Sequence, residues 1–301
     1  MIDLPAVVRN RALAEGADDW IAGLDELTIA LGEAWGFTLG TPHTDGTEAF
    51  VADVNLDDGT PAVLKLLVPR AVGGFDKSEA AFLRLADGDG CPLLHRHDPD
   101  RGALLMERLG RSMFRLALPY ATRVPMLCDA ARRIWRPAPG SGFPDGAHKA
   151  ASLARAIPEM WEELDRPCSE AAVDQALAAA ARREAAHDDE RAVLVHGDVH
   201  QWNALQELDG SSFRLVDPDG YLAEPELDLG VILREDPLEL AAASDPFAVG
   251  AAMAARCGVD ATAVWEWALI ERVSTGLLAT KVGLQPAGRD MLSTADLLAA
   301  R

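Results

Sequence analysis

The chain has 301 residues, 49% of them hydrophobic and 25% charged, a composition that buries a real core in one large domain or two lobes. Its formal net charge of −20 argues against nucleic acid as a partner, because phosphates are repelled, and suits either a cationic small molecule or plain solubility. No run of about 18 apolar residues is present, and Met1 to Gly16 mixes charges among its apolar residues, so neither a membrane span nor a signal peptide is expected. The four cysteines, Cys91, Cys128, Cys168 and Cys257, are scattered without a C-x-x-C pair. That pattern predicts reduced, buried thiols in a cytoplasmic protein rather than a disulfide frame or a zinc site.

In chain order, residues 1–35 read as two helices, the second spaced by Trp20, Leu24, Leu27, Leu31 and Trp35. A β-rich stretch follows. Phe50, Ala52, Val54 and Leu56 alternate along one strand, Asp57-Asp58-Gly59 signals a turn, and Pro61 to Val68 returns as a hairpin partner. Phe75 to Ala86 reads as a short helix ended by Asp87-Gly88-Asp89-Gly90. Leu93–His97 and Ala103–Glu107 read as two further strands around Asp98-Pro99-Asp100. The remainder is mainly helical, apart from a short β segment near 193–217 and a proline- and glycine-rich loop from Pro137 to Gly146. The order predicts an α+β chain with a β-rich N-terminal lobe over 1–106, a connector over 107–110 and a helical C-terminal lobe over 111–301.

Chemistry enters at Lys65, which shares a strand face with Val63 and Leu67 because side chains alternate. A lysine on an apolar face needs an anionic partner or a solvated edge. Glu79 is the candidate partner, on the apolar side of the short helix. A Lys–Glu pair that also grips phosphate oxygens is what phosphoryl transfer uses in a small lobe. Downstream, the apolar run Val193-Leu194-Val195 ends in His196-Gly197-Asp198; Asn203 comes five residues after Asp198 and Asp217 fourteen after that. An aspartate on a loop can accept a proton from a hydroxyl. An asparagine carbonyl and an aspartate carboxylate suit Mg²⁺, which favours oxygen ligands.

The pattern H-x-D-x-x-x-x-N followed by an aspartate after a short strand resembles the signature shared by protein kinases and aminoglycoside phosphotransferases. The run Leu194 to Asn203, then Val216-Asp217-Pro218-Asp219-Gly220, the tract Ala223 to Pro237 and the segment Leu104-Leu105-Met106-Glu107-Arg108-Leu109-Gly110 resemble its streptomycin 6-phosphotransferase and hydroxyurea phosphotransferase group. The resemblance implies a bilobal protein-kinase-like fold, with ATP and Mg²⁺ as cofactors. It implies Asp198 as the catalytic base and Asn203 and Asp217 as metal ligands. It also implies Lys65, with Glu79, at the nucleotide phosphates, and Glu107 and Leu109 at the nucleotide in the connector. No G-x-G-x-x-G is present, and Thr44-Asp45-Gly46-Thr47-Glu48 holds the corresponding turn. Neither Asp-Phe-Gly, H-R-D nor Ala-Pro-Glu occurs, so protein-kinase activity is not expected.

From Asp217 to Glu239 there are eight acidic residues and one basic one, Arg234. This excess suits an acceptor with guanidinium or ammonium groups, such as streptomycin, and makes Asp228, Glu235 and Asp236 candidate acceptor contacts. Solvated surface carboxylates are the alternative, and Asp228 could instead brace the catalytic loop. The Pro137–Gly146 loop could close over the acceptor or merely join two helices. His196 is expected to orient the loop by a hydrogen bond; His200 is left without a role, and Trp161, Trp265 and Trp267 are expected in the core. The competing readings are a kinase of hydroxyurea or an amino sugar, and a catalytically silent kinase-fold binding module. The latter would be marked by loss of the base or of the metal ligands.

Overall fold

The computed structural model describes residues 2–44, 48–72 and 74–300. Asp45, Gly46 and Thr47 of the proposed phosphate-side turn therefore lie outside the described residues. The chain divides into two compact units, residues 1–110 with 207–209, and residues 111–206 with 210–301.

The first unit opens with three helices where the sequence suggests two: α1 (Ala6–Ala14), α2 (Asp18–Ala22) and α3 (Leu24–Trp35). The break falls at Gly23, which caps both α2 and α3; glycine is a poor interior helix residue. A five-stranded antiparallel sheet follows: β1 (Phe37–Pro42), β2 (Ala49–Leu56), β3 (Pro61–Leu67), β4 (Leu94–Asp98) and β5 (Ala103–Glu107), in the order β1-β2-β3-β5-β4. Alternation decides what each sheet face holds. Phe50, Ala52, Val54, Ala62, Leu64, Leu66, Ala103 and Leu105 form one core with Leu4, Val8, Leu24 and Leu31 of the N-terminal helical segment. Lys65 therefore points to the opposite face. The helix expected from Phe75 begins later, as α4 (Ser78–Ala86). Asp76 ties up the amide and hydroxyl of Ser78 through one carboxylate oxygen, forming a turn ahead of the helix.

The second unit holds a 3₁₀ turn (Phe114–Leu116), the helices α5 (Tyr120–Ile134), α6 (Gly146–Glu163) and α7 (Glu170–Ala186), and two small antiparallel ladders. One ladder pairs β6 (Val193–Val195) with β9 (Tyr221–Ala223), the other β7 (Ala204–Gln206) with β8 (Phe213–Leu215). Helices α8 (Glu226–Arg234), α9 (Pro237–Ala242), α10 (Pro246–Cys257), α11 (Ala261–Lys281) and α12 (Ala287–Ala299) complete it. Every residue of α8 is buried, as expected of a helix that is apolar nearly all round. It lies against α11 so closely that a Cβ on Gly230 would sit 2.4 Å from Trp267 Cβ. Only glycine fits there. Trp161 and Trp267 belong to the core of this unit, as the sequence suggests, and Trp265 packs edge-on against Phe247. The Pro137–Gly146 stretch is irregular up to Asp145, whose carboxylate caps α6 by accepting from the His148 amide at 2.6 Å. Among the described residues no helix is long and apolar enough to cross a membrane. The four cysteines are thiols rather than disulfides; three are buried and Cys257 is half-buried.

Candidate active site

In the first unit, Lys65 and Glu79 meet. Lys65 Nζ lies 2.8 Å from Glu79 Oε1 and 2.7 Å from Oε2, with both side chains only 11% exposed. The period-two pattern places Lys65 on the face away from the main core, and the first turn of α4 brings Glu79 to it. At the end of β5, Glu107 accepts the Leu93 amide at 3.1 Å, while Leu109 is buried.

In the second unit, residues 196–203 form the loop from β6 to β7, and Asp217 follows β8. The loop is fixed from beneath by Asp228. This fully buried carboxylate accepts the Gly197 amide at 2.7 Å, the His196 amide at 3.1 Å and the Trp135 indole at 2.8 Å. Burial pushes its pKa up to about 6 against the pull of those donors. Both oxygens being taken, Asp228 acts here as the loop brace, the alternative that the sequence left open. Gly197 has φ 85°, and a Cβ there would sit 2.8 Å from the Tyr221 ring, so the residue before Asp198 has to be glycine.

His196 is fully buried, with Nε2 3.0 Å from the Val216 carbonyl and Nδ1 accepting the Asp198 amide at 3.3 Å. Burial pushes its pKa down to about 4, against the nearby Asp198 charge. It is therefore neutral at physiological pH, carries its proton on Nε2, and ties the Asp198 loop to the Asp217 strand.

Asp198 Oδ1 accepts from Arg234 Nη2 at 2.8 Å, and Oδ2 lies 3.1 Å from His200 Nε2 and 3.2 Å from Asn203 Nδ2. Burial raises the Asp198 pKa, but the His200 hydrogen bond and the charges of His200 and Arg234 outweigh it, so the carboxyl falls well below the usual carboxylate range. His200 moves the opposite way: burial lowers its pKa, and Asp198 and Glu235 more than restore it. A carboxylate this acidic is ionised throughout the physiological range. It is a weak Brønsted base, and as a carboxylate it can accept a hydrogen bond from a hydroxyl.

Asn203 spends its amide nitrogen on Asp198, on the carbonyl at 3.1 Å and on the side chain. Its carbonyl oxygen is thereby turned away from Asp198. Asp217 is exposed and held at φ 57°, a conformation that aspartate and asparagine tolerate better than most residues. A neutral carbonyl and a carboxylate form an all-oxygen donor pair, which fits a hard divalent cation such as Mg²⁺.

A chain of buried charge lies behind Asp198. Arg234, a buried residue, also binds Glu271 Oε2 at 2.6 Å and Glu235 Oε1 at 3.3 Å; Glu271 Oε1 lies 3.2 Å from Lys149 Nζ, itself 3.8 Å from Asp219 and 4.6 Å over the Tyr221 ring. Arg234, Glu271 and Lys149 were not singled out from the sequence. Lys149 does carry a signal: it lies on the stripe Lys149, Leu153, Ile157, Trp161, so an apolar helix face holds a lysine just as an apolar strand face holds Lys65. Arg234→Met is expected to destabilise the protein by about 3–5 kcal/mol, since Asp198 and the buried Glu271 lose their shared cation. Thermal unfolding checks this, and a variant as stable as the parent would remove the network from any structural role.

The acceptor candidates are engaged within the protein. Asp236 pairs with Arg123, Glu235 with Arg234, and Asp228 is the brace. Of the eight acidic residues in the tract, Glu224 also holds Arg183 and Trp267, and Glu226 accepts the Asp260 amide. Part of the acidic excess is thus internal bracing rather than open surface.

The family model for aminoglycoside/hydroxyurea antibiotic resistance kinases matches residues 36–283. The chain belongs to that family, and it is a kinase. A streptomycin 6-kinase of Streptomyces glaucescens is 28% identical over 236 residues, covering 76% of this chain and 74% of that protein. A hydroxyurea phosphotransferase of Kitasatospora aureofaciens is 29% identical over 235 residues, covering 76% and 67%. In structure, a choline kinase of Streptococcus pneumoniae aligns with TM-score 0.59 at 10% identity over 92% of this chain and 99% of that one, which shows the shared kinase-like fold alone.

Proposed function

We propose that the chain transfers the terminal phosphoryl group of ATP to a hydroxyl of a cationic aminoglycoside, streptomycin at its 6-position foremost, and so confers resistance in the cytoplasm. The observation that carries this reading is the Asp198 carboxylate, held on a braced loop beside Asn203 and ionised at neutral pH. Asp198 accepts the hydrogen bond of the acceptor hydroxyl and takes its proton as the new P–O bond forms, while ADP leaves. Asn203 and Asp217 would hold Mg²⁺, which offsets phosphate charge when bound. Lys65, kept in place by Glu79, would contact the nucleotide phosphates, and Glu107 and Leu109 would line the nucleotide on the connector. The two curated relatives differ in acceptor, so hydroxyurea is the second reading.

Charge separates them. Glu235 and Asp236 remain the proposed acceptor carboxylates, each already shared with an arginine. Each ionic contact to these half-buried carboxylates contributes about 0.5 kcal/mol and is partly screened by salt, so raising the salt from low to high should increase the KM for streptomycin by up to roughly fivefold. Neutralising Glu235 and Asp236 together should raise that KM more than it lowers kcat. Nucleotide consumption with streptomycin, hydroxyurea and an amino sugar in parallel is the deciding assay. Background consumption with streptomycin, beside salt-insensitive turnover of a neutral acceptor, would leave the reaction standing and replace the substrate.

A further inference from the structure

Trp161 and Trp267 lie in the core of the second unit, whereas Trp202 and Phe114 lie on its surface. Their rings stack with centroids 3.5 Å apart and planes at 18°, yet Trp202 is 48% exposed and Phe114 42%. Stacking covers one face of each ring, and about half of Trp202 still meets solvent. Trp202 stands four residues after Asp198 and immediately before Asn203. Backbone hydrogen bonds fix the pair to the catalytic loop: Phe114 N donates to the Gln201 carbonyl at 3.0 Å, Met113 N to the Ala204 carbonyl at 2.7 Å, and Trp202 N to His200 Nδ1 at 3.2 Å. Two exposed rings are thus carried rigidly by the loop that holds the base.

We infer that this aromatic stack is an acceptor-binding surface on which a planar cation, a guanidinium group, lies flat. This rests on the phosphotransferase reading of the Asp198 loop and adds to it the chemical class of the group recognised. An aromatic face attracts a cation through its quadrupole, and a guanidinium matches it in shape as well. Charge complementarity favours a cation over a neutral ring. Asp198, four residues before Trp202 in the same loop, has its side chain 31% exposed, and the chain as a whole carries a net charge of −20. The surface would act alongside Glu235 and Asp236, whose carboxylates are each shared with an arginine.

The test compares the parent with Trp202→Ala and Trp202→Phe, using streptomycin as the guanidinium probe and hydroxyurea as the uncharged one. Trp202→Ala is expected to raise the KM for streptomycin roughly 2- to 30-fold with a smaller change in kcat, and Trp202→Phe to restore most of it. The KM for hydroxyurea and for the nucleotide should move less. A fall in kcat with the streptomycin KM unchanged would overturn the inference, because the stack would then only support the loop. So would equal rises in KM for both acceptors. Binding is read separately from turnover by titrating streptomycin, without nucleotide, into the parent and Trp202→Phe and following indole fluorescence. Quenching in the parent that is lost in Trp202→Phe supports the surface even if no phosphoryl transfer occurs, in which case the proposed reaction fails alone. No difference between the two proteins overturns the inference whatever the turnover.

Discussion

Asp198→Asn will retain nucleotide affinity and lose about 10²–10⁴ in kcat, the contribution typical of one general base. The substitution keeps size and one acceptor oxygen but removes the charge proposed to accept the hydroxyl proton. It also disturbs its neighbours in a definite way. Arg234 would face an amide at 2.8 Å instead of a carboxylate, and His200 would lose the partner that raises its pKa. His200 should therefore titrate lower in the variant. Histidine NMR titration reads this independently of catalysis and shows that the loop is still assembled. Calorimetric nucleotide binding checks the first half of the expectation and steady-state turnover the second. Turnover equal to the parent's would take Asp198 out of the chemistry.

The local pattern was legible wherever one element carries the signal. Period-two alternation put Lys65 opposite the core residues Leu64 and Leu66, and the spacing from Asp198 to Asn203 to Asp217 marked a loop and a strand end that the fold joins through His196. What the sequence hid depends on contacts between distant elements. Arg234, Glu271 and Lys149 come from α8, α11 and α6, and nothing in a linear reading says that one guanidinium joins the carboxylates of Asp198, Glu235 and Glu271. The acidic tract misleads for the same reason. Counted along the chain it looks like a cation-binding surface, whereas Glu224, Glu226 and Asp228 each accept from a protein donor. Exposure is also invisible in a sequence. Trp202 reads like any other tryptophan until its neighbours are known, and only then does its place on the surface carry meaning.

Removing the Asp217 carboxylate should bring activity to background, the largest loss expected of any single substitution here. Asp217 and the Asn203 carbonyl are the donor pair that suits Mg²⁺, and the carboxylate is the only charge in that pair. The backbone complicates the choice of variant. At φ 57° an alanine meets a steric penalty of about 1–2 kcal/mol, so Asp217→Ala mixes strain with loss of the ligand. Asparagine tolerates that conformation and removes only the charge. Asp217→Asn should thus unfold near the parent's temperature, while the Mg²⁺ concentration for half-maximal activity rises by at least tenfold and turnover at ordinary Mg²⁺ collapses. Asp217→Ala should show the same catalytic loss with some loss of stability. If Asp217→Asn turns over at the parent rate with the parent's Mg²⁺ dependence, the carboxylate holds no metal. The positive φ would then have to be explained by the geometry of the turn into Pro218 alone.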